Sequence, residues 1–234
     1  MPTTMPTLLP RIEIDSASEP RAAVIWLHGL GADGHDFAPL VDELDLTGCP
    51  AIRFVFPHAP AMAVTLNGGY VMPAWYDIRG SALVRDEDRD GIVTSAMAIE
   101  ALIANEVLRG IAPGAIVLAG FSQGSAMALH TGLRHATPLA GIIALSGYLP
   151  LADTLGSQRS AANQATPIFM AHGNADPVVP MERATASKQT LSGLGYRVQW
   201  HSYDMGHSVH PREVADIAQF LRAVLGRAGE APEA

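Results

Sequence analysis

Short runs of apolar residues recur along this chain, and most precede a segment in which apolar residues return every three or four positions. The first pattern predicts buried strands and the second predicts amphipathic helices. The predicted strands cover residues 11–15, 22–27, 51–56, 115–119, 139–145, 167–171 and 197–203. The predicted helices cover residues 34–44, the stretch from 88 to 109, and residues 125–135, 181–191 and 211–225. This alternation predicts an α/β fold, with a mainly parallel, doubly wound sheet and helices on both faces.

The helix predicted before Gly110 has the clearest pattern. Acidic residues at 86–88 suit its N-terminus, because negative charge there interacts favourably with the helix dipole. Its predicted buried face carries Ile92, Ala96, Ile99, Ile103 and Val107. In the earlier helix, over 34–44, Asp33 is the predicted capping residue.

Two segments break the periodicity. Residues 61–85 are punctuated by Gly and Pro and predict a long irregular loop, a feature that tends to be functional. Residues 151–166 are polar and poorly patterned. At the ends, residues 1–10 predict a loose arm and 226–234 a polar tail. No repeat or compositional boundary divides the chain, so we expect one domain over residues 1–234.

Composition narrows the classes of function. The net charge of −8 over 234 residues, without a basic run, argues against nucleic-acid binding. The N-terminus has no signal-like pattern, and no stretch reaches the roughly 18 apolar residues of a membrane span. The single Cys49 excludes an intrachain disulfide. We therefore expect a cytoplasmic protein, a monomer or homodimer, without stable membrane insertion.

The turn between the strand at 115–119 and the helix at 125–135 carries the strongest chemical signal. It reads Gly-Phe-Ser-Gln-Gly over residues 120–124, a G-x-S-x-G pattern. A strand that turns directly into a helix forces the central serine into a strained conformation and leaves no room for bulk two residues either side. The pattern predicts Ser122 as a nucleophile, with the N–H of Gln123 free to face a developing oxyanion.

A serine nucleophile needs a base, and the base needs an orienting acid. Loops that follow parallel strands meet at one edge of the sheet. Asp176 and His207 each follow a predicted strand and complete the order Ser, Asp, His. The weaker alternatives are His210 as the base, and Asp204 or Asp153 as the acid.

These segments, with several others, resemble the carboxylesterase and acyl-protein thioesterase (lysophospholipase-like) family of α/β-hydrolases. The matching stretches are Leu-His-Gly-Leu-Gly at 27–31, Pro-His-Ala-Pro at 57–60, Trp-Tyr-Asp-Ile at 75–78, the serine turn, His-Gly-Asn-Ala-Asp-Pro-Val-Val-Pro at 172–180 and Met-Gly-His at 205–207. The resemblance implies a compact α/β-hydrolase without a separate cap domain and without a cofactor. It implies Ser122, Asp176 and His207 as the catalytic triad, and the N–H groups of Leu30 and Gln123 as oxyanion donors.

The function expected from this resemblance is a serine carboxylesterase acting on short- to medium-chain esters, with a small-molecule or lipid-like substrate. Acyl-protein thioesterase or lysophospholipase activity is the close alternative. Acyl-transfer or lyase chemistry and a non-catalytic binding scaffold are more distant ones.

Residues beyond the triad are less constrained by the sequence. His28 either orders the oxyanion loop or is a buried histidine with satisfied hydrogen bonds. Met72, Trp75 and Leu66 either line an acyl pocket or anchor a loop. His and Asp do not recur at ligand spacing, so no metal site is expected.

Overall fold

The computed structural model describes residues 8–80 and 86–226, and its centre is a seven-stranded sheet. The strands of this sheet are β1 (Arg11–Asp15), β2 (Ala22–Leu27), β3 (Ile52–Pro57), β6 (Ile116–Phe121), β7 (Gly141–Leu145), β8 (Ile168–Gly173) and β9 (Val198–Tyr203). A separate two-stranded hairpin is formed by β4 (Ala61–Val64) and β5 (Tyr70–Pro73). The apolar runs of the sequence therefore correspond to the strands of the main sheet.

The strand order is β1-β3-β2-β6-β7-β8-β9. β1 pairs antiparallel with β3 at one edge, and the other neighbours pair in parallel. β2, β7 and β8 are buried at every position, as expected for central strands covered on both faces. The carboxyl ends of the parallel strands therefore lie along one edge of the sheet, where the loops carrying Ser122, Asp176 and His207 meet.

The sheet is flanked by helices, and the fold is an α/β-hydrolase fold. The helices are α1 (Arg89–Leu108), α2 (Gln123–Gly132), α3 (Ala152–Gln158), α4 (Met181–Gly193) and α5 (Pro211–Leu225), with short 3-10 helices at Ala38–Glu43, Thr65–Asn67, Pro113–Ala115 and Ala161–Asn163. α2 packs on β2, β6 and β7, and α1 packs against α2. α5 covers β8, where Phe220 lies 5.7 Å from Phe169 between ring centroids.

The predicted helix over 34–44 is wrong. Its second half is a 3-10 helix, Ala38–Glu43, and its first half is a series of turns. Asp33 does not cap a helix, because its carboxylate accepts the His35 N–H at 2.8 Å and closes a local turn. Short polar side chains compete with helical hydrogen bonds in this way.

The segment 61–80 is more regular than predicted. β4 and β5 pair in antiparallel register from Ala61–Pro73 to Val64–Tyr70, joined by a 3-10 turn. Gly68 and Gly69 have φ angles of 67° and 81°, which glycine adopts at little cost. Strands this short carry too few positions for an alternating pattern to be recognised. Residues 81–85 of the predicted loop lie outside the described residues.

Two further predictions need correction. The poorly patterned stretch 151–166 contains α3 and a 3-10 helix, Ala161–Asn163. In α1, Ile92, Ile99 and Ile103 are buried as predicted and Ala96 is partly buried, but Val107 is exposed. Glu106 is buried in its place, because Arg53 and Arg109 pair with its carboxylate at 3.2 and 2.9 Å. Asp88 caps this helix by accepting the Gly91 N–H.

Helix α1 is an exception to the expectation that no segment of the chain is apolar and long enough to span a membrane. By length and composition alone it qualifies, with 20 residues and a mean hydropathy of 1.5. Its inner face packs in the hydrophobic core through Ile92, Ile99, Leu102 and Ile103. We therefore assign α1 as a core helix whose outer face is unusually apolar.

The predicted terminal segments are largely outside the described part of the chain. Of the arm over 1–10, residues 8–10 are described, and Leu8 and Leu9 pack against the core. Of the tail over 226–234, only Gly226 is described.

Candidate active site

Ser122 sits at the junction of β6 and α2 with φ 55° and ψ −117°. This conformation is rare for a residue with a side chain, and the surrounding structure must hold it in place. A Cβ atom on Gly120 would overlap the backbone of Gly124, and a Cβ on Gly124 would overlap the Leu27 carbonyl. The G-x-S-x-G spacing therefore has the steric cause predicted from the sequence.

Ser122, His207 and Asp176 form a continuous series of hydrogen bonds. The Ser122 Oγ lies 2.9 Å from His207 Nε2, and His207 Nδ1 lies 2.7 Å from Asp176 Oδ2. Because the carboxylate can only accept, we assign the proton to Nδ1, which leaves Nε2 to accept the serine proton. The ring of Phe121 packs against the imidazole at 4.7 Å between centroids. The His207 ring is therefore fixed in orientation by Asp176 and by Phe121.

The side chain of Asp176 is fully buried, and its acceptors are satisfied. Oδ1 accepts the N–H groups of Val178 and Val179 at 2.8 and 2.9 Å. The nearby His172 donates from Nε2 to the Val179 carbonyl and lies 3.5 Å from Asp176 Oδ2. A carboxylate can be buried only with such partners, so the loop after β8 is built to hold one.

The alternative residues for the base and the acid make other contacts. Asp204 accepts a hydrogen bond from the Asn174 side chain at 2.7 Å. His210 caps α5, accepting the Arg212 N–H at 3.1 Å, and its ring stacks on Tyr203. Asp153 is exposed, with Arg89 at 3.9 Å. None of these three side chains has a hydrogen bond to His207 or Ser122 among the described residues.

The loop after β2 lies directly beside the serine. A Cβ on Gly29 would lie 3.4 Å from the Ser122 Cβ, so the loop backbone is in van der Waals range of the nucleophile. The Gly31 N–H donates to the Pro73 carbonyl at 2.9 Å, which ties this loop to the hairpin. Within the described residues, the Leu30 N–H has no hydrogen-bond acceptor. The Gln123 N–H is likewise unpaired within helix α2, because it belongs to the first turn.

Both ring nitrogens of His28 are hydrogen-bonded, one of them to the loop after β2, and a role in an oxyanion hole stays a prediction. This histidine is buried, and its Nε2 accepts the Ala59 N–H at 3.0 Å. The proton must then be on Nδ1, which donates to the Gly29 carbonyl at 2.7 Å. Burial lowers the pKa of His28, which favours this neutral form. His58 supports the same loop by accepting the Gly34 N–H at 3.1 Å.

The side chain of Gln123 was not singled out from the sequence, yet it joins the serine turn to the segment after β5. Its Oε1 accepts the Trp75 N–H at 2.9 Å, and its Nε2 donates to the Tyr76 carbonyl at 2.7 Å. Ser95 donates to the Trp75 carbonyl. The sequence gives only a weak signal for this role, namely a glutamine directly after the serine of the G-x-S-x-G turn. Its hydrogen-bond partners lie about 47 residues away along the chain, so only the fold shows them.

The three residues suggested for substrate binding have different surroundings. Trp75 is 1% exposed, and its indole N–H donates to the His28 carbonyl at 2.9 Å. This burial favours the alternative that Trp75 anchors the loop. Met72 is partly buried, with its sulfur near Gly31, and Leu66 is exposed at the hairpin turn. Both lie on the hairpin, which contacts the loop after β2 through Met72, and a role in substrate binding stays a prediction.

A cavity of about 320 Å³ has His207 in its wall. Its walls come from the 3-10 helix Ala38–Glu43 and the loop after β9, and it is lined by Phe37, Pro39, Leu40, Phe121, His207 and Val209, among others. From the sequence, candidate acyl-pocket residues were found only in the segment 61–85, and a cavity beside His207 was not expected. The apolar residues at 37–41 were the available signal, but they indicated only the buried face of a helix.

Asp33, His35 and His58 come together although their spacing in the sequence did not suggest it. Their ligand atoms lie within 4.8 Å of one another. Asp33 already pairs with His35 at 2.9 Å, and His58 accepts from Gly34. These hydrogen bonds account for the cluster without a cation.

Comparison with known proteins identifies the family to which this chain belongs. A family model described as phospholipase/carboxylesterase matches residues 10–225. Acyl-protein thioesterase 1 of Gibberella zeae is 42% identical over 219 residues, which cover 90% of this chain and 93% of that protein. Acyl-protein thioesterase 1 of Neurospora crassa is 40% identical over 238 residues, covering 96% and 95%. The crystal structure of Zea mays acyl-protein thioesterase 2 matches with a TM-score of 0.79 and 30% identity, covering 93% of this chain and 99% of that one.

These matches extend over nearly the whole chain rather than a single motif. We conclude that the chain belongs to the phospholipase/carboxylesterase family of α/β-hydrolases and is a serine ester hydrolase.

Proposed function

We propose that this chain hydrolyses thioesters that link a fatty acyl group to a protein cysteine. The observation that carries this choice is the 42% identity to acyl-protein thioesterase 1 over 90% of the chain. It revises the preference for short- to medium-chain oxygen esters expected from the sequence. Oxygen esters remain the second candidate, because the same nucleophile and base serve both bonds.

In this proposal Ser122, His207 and Asp176 are the catalytic triad. The Oγ to Nε2 distance of 2.9 Å is within reach for proton transfer, so His207 can take the serine proton as Oγ attacks the acyl carbon. Asp176, 2.7 Å from Nδ1, holds the ring in position and stabilises the imidazolium that forms.

The tetrahedral intermediate places negative charge on the former carbonyl oxygen. We assign its stabilisation to the N–H groups of Leu30 and Gln123. Gln123 contributes the first turn of a helix, whose unpaired N–H groups favour an anion. Leu30 follows Gly29, which lies against Ser122. Removing one donor of this type typically costs about 10²–10³ in kcat.

Collapse of the intermediate breaks the carbon–sulfur bond. His207 returns the proton to the cysteine sulfur, and the acyl group stays on Ser122 as an ester. Water then attacks that ester with His207 again as base, releasing a carboxylic acid and restoring the serine. No redox partner or cofactor is required by this sequence of bonds.

Access to the serine supports a substrate carried on a protein. In the part of the chain that the structure describes, no separate cap domain covers Ser122. The neighbouring hairpin exposes Leu66, Tyr70 and Val71 at 54%, 69% and 60%. Apolar side chains exposed beside a reactive serine suit an acyl chain or an apolar surface of a substrate. A single domain, a cytoplasmic location and a monomeric or homodimeric state accompany this proposal as predictions.

The test uses two matched peptides that differ in one atom, an S-octanoyl cysteine and an O-octanoyl serine in the same sequence. We expect kcat/KM for the thioester to exceed that for the oxygen ester by at least tenfold, after each is divided by its uncatalysed hydrolysis rate. Equal or reversed values would make this chain a carboxylesterase, and a lysophospholipid measured in parallel tests the remaining alternative.

The Ser122→Ala variant separates substrate preference from mechanism. It should lose activity on both peptides and lose labelling by a fluorophosphonate, whereas Ser125→Ala should keep both. Retained turnover in Ser122→Ala would refute the triad whichever ester is preferred.

A further inference from the structure

A groove of about 720 Å³ lies on the outer face of α1, between this helix, the end of α2 and α3. Its walls include Arg89, Met97, His130, Arg134 and Leu151. It contains none of the residues assigned to the reaction. The volume falls within the roughly 300–1,000 Å³ of small-molecule sites.

One wall of the groove is an apolar strip along α1. It is made by Val93, Ala96, Met97, Ala101 and Ala104. These positions follow the three- and four-residue spacing of one helix face. Met97 is 68% exposed, so this face has no partner among the described residues. The strip is also the reason that α1 is apolar enough to resemble a membrane span.

Two arginines in the lining of the groove have no carboxylate within hydrogen-bonding distance among the described residues. Arg134 donates to the Gln158 and Thr154 side chains and to the His130 carbonyl, at 3.0, 3.1 and 3.2 Å. It forms no salt bridge among the described residues. Burial lowers the pKa of this guanidinium to about 10. Arg89, at the N-terminus of α1, has its carboxylate neighbour Asp153 only at 3.9 Å.

His130 adds an unsatisfied polar atom to the same wall. It is 4% exposed, and its Nδ1 has no hydrogen-bond partner within the described residues. Burial lowers the pKa of His130 to about 3, so the imidazole is neutral at physiological pH and can donate a hydrogen bond. Buried polar atoms without partners are rare in folded proteins and call for an explanation.

Glu100, the acidic residue in the groove lining, does not neutralise the charge of Arg89 and Arg134. Glu100 lines the wall beside the apolar strip, but its carboxylate pairs with His135 Nδ1 at 2.7 Å. The groove therefore combines an apolar strip with two guanidinium groups and a buried imidazole.

We propose that this groove binds a fatty carboxylate, with its head group at Arg134 and Arg89 and its chain along α1. A carboxylate matches the guanidinium geometry and accepts hydrogen bonds from the N–H donors of the groove. A hydrocarbon chain covers the exposed strip, and each buried methylene adds to the affinity. The site is independent of thioesterase chemistry, because occupancy requires no reaction at Ser122.

The experiment follows methionine methyl groups by NMR in the full chain labelled with ¹³C at the methionine methyls. Met97 reports on the groove and Met72 reports on the hairpin beside the active site. Decanoate should shift the Met97 resonance in a saturable way. Decanol should bind at least tenfold more weakly at Met97, and decyltrimethylammonium should not bind there. Binding at the active site would move Met72 with its own affinity.

Variants test the two ends of the groove. Arg134→Gln should weaken decanoate binding at Met97 at least tenfold, and Arg134→Lys should recover part of it. Arg89→Gln, at a more exposed position, gives a second variant in case Arg134→Gln does not fold. In calorimetry Met97→Glu should remove one binding site. The matched control is Leu108→Glu, because Leu108 is 70% exposed on the same helix but outside the groove.

Three results would overturn the proposal. The Met97 resonance could stay unmoved while Met72 saturates, or decanol could bind as tightly as decanoate. Alternatively, Met97 could respond to protein concentration in the absence of ligand, with a matching rise in sedimentation coefficient, which would identify the face as a contact between copies of this chain. None of these results would alter the hydrolysis of the peptide thioester, so the two proposals fail separately.

Discussion

The nucleophile segment, residues 116–132, and the hairpin of β4 and β5 both contact the loop after β2 and are built in opposite ways. Every residue of α2 is buried, and Ser122 is held in a strained conformation at its start. The hairpin, in contrast, presents Leu66, Tyr70 and Val71 to solvent. The Gln123 side chain connects the nucleophile segment to Trp75 and Tyr76, which directly follow the hairpin. The loop after β2 is bonded to the hairpin itself, through the Gly31 N–H and the Pro73 carbonyl.

Under the proposed function, this difference separates the residues that carry out the reaction from those that contact the substrate. Catalytic atoms must stay within a fraction of an ångström of their working positions, and dense packing supplies that constraint. A surface that meets varied substrates needs exposed apolar area and little internal packing. Changes in the nucleophile segment and its partners should therefore affect kcat or folding, whereas changes in the hairpin should affect substrate preference.

The largest effect should come from the acid that orients the base. Asp176→Asn keeps the shape of the side chain but disfavours the His207 tautomer that can accept the serine proton. We expect kcat to fall by about 10⁴, with an unchanged circular dichroism spectrum. Asp204→Asn is the matched control on the adjoining loop and should stay within a few-fold of the native enzyme. The reverse result would mean that the wrong carboxylate has been assigned.

The next largest effect should come from Gln123, whose side chain bonds to Trp75 and Tyr76. Gln123→Met leaves the buried Trp75 N–H and Tyr76 carbonyl without partners, at about 1–3 kcal/mol for each group. We expect a lower unfolding free energy in urea and a loss of kcat of tenfold or more. Gln123→Glu keeps an acceptor for Trp75 but buries a carboxylate against the Tyr76 carbonyl, so it should also lose activity. If neither variant changes kcat, the two regions are not coupled through this residue.

Burial within the nucleophile segment should also appear as a pH dependence of stability. His130 has a pKa of about 3 in the folded state, lowered chiefly by burial, against an unfolded value of about 6.5. The unfolded state therefore binds more protons between these values, so this contribution is present above pH 6.5 and is lost as the pH falls. Each pH unit should cost up to about 1.4 kcal/mol.

Glu213 titrates in an overlapping range with the opposite sign. Burial raises its pKa to about 7, so its contribution is lost as the pH rises. The measurement is therefore the difference in unfolding free energy between the native protein and His130→Leu, from pH 4 to 8. The difference should move in favour of the native protein as the pH rises to 6.5 and then level off. A difference that does not vary with pH would show that His130 is not desolvated.

The smallest effects should come from the hairpin. Tyr70→Ser and Val71→Ser should lower kcat/KM for an acylated peptide three- to tenfold, because less than about 1.4 kcal/mol of apolar contact is removed. Hydrolysis of p-nitrophenyl acetate, which is too small to reach the hairpin, should not change. In a series of longer p-nitrophenyl esters, Met72→Ala should shift the chain-length optimum. Equal losses on every ester would assign the hairpin a structural role.

Much of the fold followed from residue patterns because central parallel strands are uniformly apolar. β2 and β7 are examples, because burial on both faces leaves only apolar residues and glycine along each strand. The hairpin escaped prediction because its strands are four residues long. The stretch 34–44 was assigned as helix because its apolar spacing is helical, whereas the turn closed by Asp33 and the 3-10 geometry depend on local hydrogen bonds.

The sequence alone determined where the strained serine turn lies, because only small residues fit at Gly120 and Gly124 and that constraint is local. The tertiary structure decided which residues meet the serine. His207 is 85 residues from Ser122 along the chain and 31 from Asp176, and the distances between them depend on strand order and register. It also decided that Asp204 faces Asn174 and that the Gln123 side chain reaches Trp75. Such contacts join elements far apart in sequence, so their geometry is set by the packing of the whole sheet and not by any local pattern.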